Sequence, residues 1–444
     1  MACNIVALAT APGLSGLAVV RISGDDAITI TDKLFRGKKA LSECKSHTIH
    51  YGNFYRNNGD LLDSVTCSIF KAPNSYTGEN TIEIGCHGGM IISNEIIKEL
   101  IIAGATTPNP GEFTKRAFLN GKLDLTQVEA VADLIHSVSI RGSATAAKQL
   151  EGNFQQRLKD FRKSLLKIAG LLELELDFSE EDLELVPKKD IIFKINEAKA
   201  FCEDLINSFT GSNILRSGFQ VAVVGFPNSG KSTLFNTLSE KNRAIVSDIA
   251  GTTRDYIEEY IYLKNIPFKL VDTAGLRESE DVIEIQGIQL VEKILEQSEL
   301  VLILNDISNG ITNSDELFEK IKLKNKNVLL IQNKIDLTDL KVDGISISAK
   351  DNIGIDKLKN ILIENAENSI VRVNDALINQ RQKSLLEQII VNLDNATESL
   401  NLEMENEVIA IDLRTAIKII GEITGEAWNE EILDAIFSDF CIGK

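Results

Sequence analysis

Residues 225–232 read Gly-Phe-Pro-Asn-Ser-Gly-Lys-Ser, a G-x-x-x-x-G-K-S run whose residue types suit a polyphosphate. Gly225 and Gly230 let the backbone curl until its N–H groups face an anion. Lys231 is spaced to reach the β- and γ-phosphates, and Ser232 offers a hydroxyl to Mg2+. Ser229 and Thr233 are the further contacts expected beside them. Such a loop works between a strand and a helix N-terminus, where the dipole favours negative charge. The spacing predicts that setting, with a buried strand over Phe219–Val224 and a helix from Ser232 onward.

Later segments narrow the ligand. Asp272, Thr273, Ala274 and Gly275 follow the run Phe268–Val271, so a strand ends in a carboxylate and a turn ends in Gly. P-loop NTPases use that order to set a carboxylate near Mg2+ and a backbone N–H near the γ-phosphate. Asn333, Lys334 and Asp336 follow the apolar strand Val328–Ile331. An Asp here can accept from both N1–H and N2–H2 of guanine. Adenine lacks that donor pair and would leave the carboxylate unpaired. Ser348, Ala349 and Lys350 follow another short strand and resemble the loop that backs a guanine base. Within Gly251-Thr-Thr-Arg-Asp255, Thr253 is the candidate switch threonine that completes the Mg2+ shell. In this order the segments resemble a Ras-like GTP-binding domain.

One catalytic part is missing. Ras-type enzymes place a Gln directly after the D-x-x-G turn to orient water, and here that position is Leu276. Two substitutes are visible. Asn228, inside the phosphate loop, can point its carbonyl at a cation that stabilises transition-state charge. Glu284 can orient the water through an intermediary. An Asn in a turn and a solvated Glu are the plain alternatives; Arg254 and Arg277 are charge stabilisers or surface ion pairs.

These motifs need a scaffold, and 444 residues suggest about three domains. Residues 1–120 read as β-rich, residues 121–215 as helical, and residues 216–372 as the GTP-binding domain. Helical spacing returns over residues 373–444 (Leu386, Ile389, Leu393, then Ile409, Leu413, Ile420). Periodicity permits the GTP-binding domain to be inserted in one helical domain and does not prove it. No apolar stretch approaches 18 residues, so no membrane span is expected, and no secretory signal is evident. Six scattered Cys without C-x-x-C fit a reducing cytoplasm and no zinc knuckle. Cys86-His87 is a poor metal pair, because strand neighbours point to opposite faces.

A net charge of −18 argues against a chain that grips nucleic acid with its whole surface. It leaves room for a local patch. Residues 141–167 hold seven Lys/Arg, with apolar residues from Leu150 to Leu172 at spacings of three and four. That predicts one long amphipathic helix with a basic outer side, either simply solvated or facing RNA.

The ends of the chain carry a more specific resemblance. Pro73-Asn-Ser-Tyr-Thr-Gly-Glu79, Gly85-Cys-His-Gly-Gly89, Pro110-Gly-Glu-Phe-Thr-Lys-Arg-Ala-Phe-Leu-Asn120, Lys122-Leu-Asp-Leu125 and the terminal Phe440-Cys-Ile-Gly-Lys444 are similar to the MnmE (TrmE) family, over the whole length. The resemblance implies a multidomain α+β and α/β protein. Its parts are a β-rich, folate-binding, dimerising N-terminal domain, a helical domain, and a Ras-like GTPase domain inserted into that helical domain. It implies that Arg21, Glu83, Lys122 and Lys444 contact a formyl- or methylene-tetrahydrofolate, and that Cys441 lies near it with a functional but unassigned role.

It further implies that GTPase domains meet across GTP with K+ bound. Asn228, Ser247, Ile249 and Thr252 would hold the K+, and Glu284 would orient the water. Ser247, Asp248, Ile249, Ala250, Gly251, Thr252 and Thr253 would contact the nucleotide, with Mg2+ on Ser232 and Thr253. The family is a homodimer that works with MnmG (GidA), which uses FAD and NADH. Together they add an aminomethyl or carboxymethylaminomethyl group at C5 of the wobble uridine of certain tRNAs. The alternative is a GTPase switch in ribosome assembly or RNA binding, without modification activity. The two differ in whether the first 120 residues and the last five form a folate pocket.

Overall fold

The structure is a computed structural model that describes residues 3–177, 187–239, 257–272, 293–309, 318–319, 321–322, 327–338, 344–371, 373, 376–438 and 440–443. The chain forms two compact units, residues 1–132 with 418–444, and residues 133–417.

The first unit is built on an antiparallel sheet. Its strands are β1 (Ile5–Leu8), β2 (Ala18–Ser23), β3 (Phe35–Gly37), β4 (Thr48–Tyr55), β5 (Leu61–Phe70) and β6 (Thr81–Cys86), in the order β1-β2-β6-β5-β4-β3. Val20, Ile22, Ile82 and Ile84 alternate onto one face. There they meet Ile30 and Leu34 of α1 (Ala27–Leu34) and Ile96 and Leu100 of α2 (Met90–Ile102). The intervening residues Arg21 and Glu83 point the other way, where Ile5, Ala7 and Phe113 of α3 (Glu112–Leu119) form a second, smaller apolar cluster with Tyr76. The C-terminal helix Glu430–Ser438 joins this unit through Lys115–Asp434 (2.6 Å), and Trp428 sets its ring edge-on to Phe118. Residues 1–120 are thus a sheet with helices on it, more mixed than a β-rich reading suggests.

The second unit holds a mostly parallel sheet ordered β12-β11-β10-β7-β9-β8. The strands are β7 (Phe219–Gly225), β8 (Ile257–Leu263), β9 (Ile266–Asp272), β10 (Leu300–Asp306), β11 (Val328–Asn333) and β12 (Ile345–Ser346); only β8 runs antiparallel. Both faces are covered, so the strands read as continuous apolar runs. Val221, Val223, Leu302 and Leu304 face Leu234 and Leu238 of α9 (Lys231–Ser239) and Leu358 and Leu362 of α10 (Ile355–Ile370). Ala222, Val271, Val301 and Ile303 face Ile294, Leu295 and Ile321.

Helices flank this sheet in sequence: α4 (Leu125–His136), α5 (Ile140–Leu150), α6 (Asn153–Asp177), α7 (Lys188–Asn207) and α8 (Phe209–Ser217) before it, α11 (Gln380–Asn401) and α12 (Asn406–Thr424) after it. The predicted single helix over residues 141–172 is two. Gly152 takes φ +93°, a left-handed conformation that ends α5 and lets α6 start in a new direction. Two arginines tie the points where the chain enters and leaves the sheet. Arg216, just before β7, pairs with Asp133 and donates to the carbonyls of Leu377 and Ile378. Arg141 donates to the carbonyl of Val373, just after α10.

Candidate functional site

The phosphate loop lies where β7 gives way to α9. Gly230 takes φ +95°, and a Cβ there would collide with the amide nitrogen of Asn333, so only Gly fits. Lys231 is buried, and its ammonium donates to the carbonyls of Gly225 (2.9 Å) and Phe226 (3.0 Å). Its charge is thereby held inside the loop. Ser232, Thr233 and Asn228 are exposed at the loop surface. Asn228 takes φ +64°, a conformation Asn tolerates better than most residues, so the backbone alone gives a reason for Asn at this place. Ser229 is 1% exposed, and its hydroxyl has no hydrogen-bond partner.

Asn333 explains how loop and base site are held together. Its side chain, 2% exposed, donates to the Ser229 carbonyl (2.8 Å) and accepts from the Ala349 N–H (3.1 Å). One amide thus joins the phosphate loop to the segment Ser348, Ala349 and Lys350. Thr237 of α9 adds a bond to the Ala349 carbonyl (2.8 Å), and Ser348 Oγ accepts from the Asp351 N–H (3.2 Å). Asp336 stands exposed in the middle of the short 3-10 turn Ile335–Leu337 after β11, clear of the core. Asp272 is buried at the end of β9, level with Val223 of β7. These groups come from strand ends on one edge of a parallel sheet, the crevice where such sheets bind ligands.

Sequence reasoning passed over Asp306. It ends β10 and binds the ammonium of Lys334 (2.6 Å), a residue whose backbone takes φ +66°. Burial pushes the Asp306 carboxyl up, but Lys334 and Ser308 outweigh it, so the net displacement is below the ordinary carboxylate range. The signal was present in the sequence, as an Asp that closes the all-apolar strand Leu300–Leu304. Ser247, Asp248, Ile249, Ala250, Gly251, Thr252, Thr253, Thr273, Ala274, Gly275, Leu276, Glu284, Arg254 and Arg277 lie outside the described residues, as does Lys444.

In the antiparallel sheet, Arg21 and Glu83 are register partners on β2 and β6. The Arg21 guanidinium donates through Nε and Nη2 to Glu83 Oε1 (3.0 and 2.8 Å) and lies over the rings of Tyr76 (5.4 Å) and Phe113 (5.7 Å). Lys122 is exposed and donates to the Pro73 carbonyl (3.0 Å). The segment 73–79 therefore links Lys122 at one end to Arg21, through Tyr76, near the other. Gly443 packs so closely on the Leu8 carbonyl that a Cβ would overlap it, which brings the C-terminal tail to strand β1 beside β2. Cys441 is exposed two residues earlier. By contrast, burial pushes the Cys86 thiol up to about 11, with Asp63 adding to it, so Cys86 is a core residue. His87 lies just past the end of β6, exposed, with its Nδ1 on Asp63 (2.6 Å). No group of three metal-ligating side chains occurs among the described residues.

Sequence reasoning also missed a charged network behind these residues. Arg116 and Glu79, each 11% exposed, pair at 3.0 Å. Arg116 also binds Glu112 (2.7 Å) and the Cys3 carbonyl (2.7 Å), and Glu79 accepts from Ser23 (2.8 Å). Burial opposes the Arg116 charge, yet Glu112 and Glu79 hold it net upward from its ordinary value. A cavity of about 640 Å3 opens beside it, lined by Glu79, Glu112, Lys115, Arg116, Asp434 and Phe437.

Two family models together span most of the chain. Residues 4–122 match the family described as the GTP-binding protein TrmE N-terminus, and residues 125–441 match the MnmE helical domain. The chain is 39% identical over 455 residues to a protein of Acetivibrio thermocellus, 41% over 453 to one of Cytophaga hutchinsonii and 42% over 458 to one of Flavobacterium psychrophilum. Each is named tRNA modification GTPase MnmE, with 99% of this chain covered and 98–99% of theirs. A solved structure, the G domain of the T. maritima FeoB iron transporter, overlaps 33% of this chain and 98% of its own at 25% identity and a TM-score of 0.27. No helix among the described residues is long and apolar enough to cross a membrane. With two family models covering nearly its whole length and relatives near 40% identity end to end, the chain belongs to the MnmE family of tRNA modification GTPases.

Proposed function

We propose that this protein hydrolyses GTP and, with an FAD-dependent partner of the MnmG kind, takes part in building a (carboxymethyl)aminomethyl group on C5 of the tRNA wobble uridine. The observation that carries the GTP reading is the Asn333 amide, which joins the phosphate loop to the base loop so that one rigid edge can grip both ends of a nucleotide. The tRNA reading rests on the full-length relatives named for that modification.

In this reading Lys231 leaves its loop carbonyls for the β- and γ-phosphates, Asp336 pairs with guanine, and the backbone N–H groups of Ser229 and Gly230 face phosphate oxygens. Ser232 and Thr253 would hold Mg2+, which supplies charge neutralisation at the phosphates. Asn228 would meet K+ with Ser247, Ile249 and Thr252, and Glu284 would orient water in place of the Gln that Leu276 replaces. Arg21, Glu83, Lys122 and Lys444 would hold the tetrahydrofolate, the three cations suiting its glutamate tail and the carboxylate its pterin ring. Cys441 would lie near it. The chain would act as a homodimer in the cytoplasm, its GTPase domain inserted in the helical one.

The direct test is mass spectrometry of wobble uridines in cells that lack this chain; unchanged uridines would refute the modification role. Equilibrium dialysis with 5-formyl-tetrahydrofolate separates this reading from a pure RNA-binding switch, which has no use for the folate. Turnover compared in KCl and NaCl at matched ionic strength tests Asn228, and equal rates would remove the K+ assignment.

A further inference from the structure

Helix α6 buries Phe154, Leu158, Phe161, Leu165, Ile168 and Leu172. At 100° per residue, Lys159, Lys163 and Lys167 fall on the pole opposite that face, and all three are exposed. None has an ion-pair or hydrogen-bond partner among the described residues. The nearest acid on the helix, Asp160, stands at the edge of the row, engaged by Gln156 (3.0 Å). A chain of net charge −18 has ample carboxylates to neutralise three lysines, yet these are left open in a straight row.

We propose that Lys159, Lys163 and Lys167 form a docking rail for the phosphate backbone of the RNA substrate. This rests on the tRNA reading above and assigns it a surface. Successive lysines are about 6 Å apart along the helix axis, the same order as neighbouring phosphates on a nucleic-acid strand. Lysine heads on long flexible stems suit phosphates as point charges without reading bases. Gly152 precedes the helix, and Phe161, between Lys159 and Lys163 in the sequence, packs on Phe201 of α7 (4.8 Å between ring centroids), so the row stands on a helix anchored in the protein. An anionic membrane fits less well. Interfacial helices pair a basic side with an apolar side that inserts, and the apolar side of α6 is buried in the protein.

The test measures binding of the full-length protein to an unmodified tRNA transcript over a range of salt. For K159Q/K163Q/K167Q we expect affinity to fall about tenfold to a hundredfold near 0.1 M salt, and the log–log salt slope to flatten by about 2 to 3. The K159R/K163R/K167R protein should keep both affinity and slope, and thermal melting matched to the parent confirms the fold of each. A parent that binds tRNA with affinity and slope unchanged in the Gln variant overturns the rail while leaving the tRNA reading intact. A parent that binds no tRNA overturns both. Loss of pelleting with phosphatidylserine vesicles, with tRNA binding kept, would overturn RNA as the partner in favour of a membrane.

Discussion

The two six-stranded sheets present their candidate sites in opposite ways. In the parallel sheet, the described candidate groups sit at or just past strand ends: Lys231 after β7, Asp272 at the end of β9, Asp306 at the end of β10, Asn333 at the end of β11 with Asp336 beyond it, Ser348 after β12. In the antiparallel sheet, two of the candidates sit within strands. Arg21 is in β2 and Glu83 in β6, already paired with each other. A parallel sheet puts all its C-terminal ends on one edge, so terminal strand residues and the loops beyond them converge while the strand centres stay in the core. An antiparallel sheet sends its ends to both edges, so a site is taken from one face, and side chains there must be held by partners until a ligand arrives. The first site is organised by strand ends and one neutral amide, Asn333, bonded to main-chain groups, and the second by paired side-chain charge.

The sharpest way to break this contrast is at Lys231. If the parallel-sheet site depends on this ammonium inside a backbone cradle, Lys231→Ala should lower GTP turnover by about a hundredfold to a thousandfold. Binding of 5-formyl-tetrahydrofolate by the same variant, measured by dialysis, should be unchanged. Loss of both would mean that the two sites share determinants, which the separate cores built on Val223 and Ile84 do not suggest.

A substitution at the base end sharpens the same point. Asp336 is exposed and free of the core, so changing it should alter selectivity more than fold. Asp336→Asn should weaken GTP by about a hundredfold or more, since an amide cannot accept from both guanine donors. Xanthosine triphosphate, with a carbonyl where guanine has its amino group, should recover much of that loss. Competition assays with the two nucleotides read the outcome; equal weakening of both would place Asp336 in a structural role.

These expectations also show what could be read from the chain before its structure. Lys231, Asp272, Asn333 and Asp336 were legible because each follows an apolar run, and in a parallel sheet order along the chain becomes proximity at one edge. Glu79 with Arg116, and Asp133 with Arg216, were not, because nothing in local spacing says which distant charges will face each other. Arg21 and Glu83 were singled out by resemblance alone; their pairing is a matter of register between strands 62 residues apart. The break at Gly152 was hidden because the apolar spacing continues across it, and a left-handed Gly leaves no mark in periodicity.

For the antiparallel site the expected effects are smaller. Arg21→Ala removes two hydrogen bonds to Glu83 and leaves a carboxylate that is 30% exposed. A charged hydrogen bond contributes about 1.5–3 kcal/mol, so folate affinity should fall about tenfold or more. Glu83→Gln and the double variant complete a cycle. Additive losses would show that Arg21 and Glu83 meet the folate independently. A coupling term would show that they hold each other in place, the feature that sets this site apart from the parallel-sheet one.

The smallest effect tests whether side-chain charge has any part in the parallel-sheet site. Burial raises the Asp306 carboxyl, but Lys334 and Ser308 lower it further, to a net value below that of the unfolded chain. A depressed carboxyl contributes stability that is fully present above its unfolded value, about 3.9, and lost as pH falls through the folded one. Lys334→Met removes the main favourable partner. Near neutral pH it should therefore lower the melting temperature on the order of one or two degrees. The gap between variant and parent should close as the pH is taken below about 4. Calorimetry across that range decides the matter. A gap that stays constant in acid would mean that Lys334 acts through its left-handed backbone and its packing, and that this sheet edge owes its order to the main chain even where two opposite charges meet.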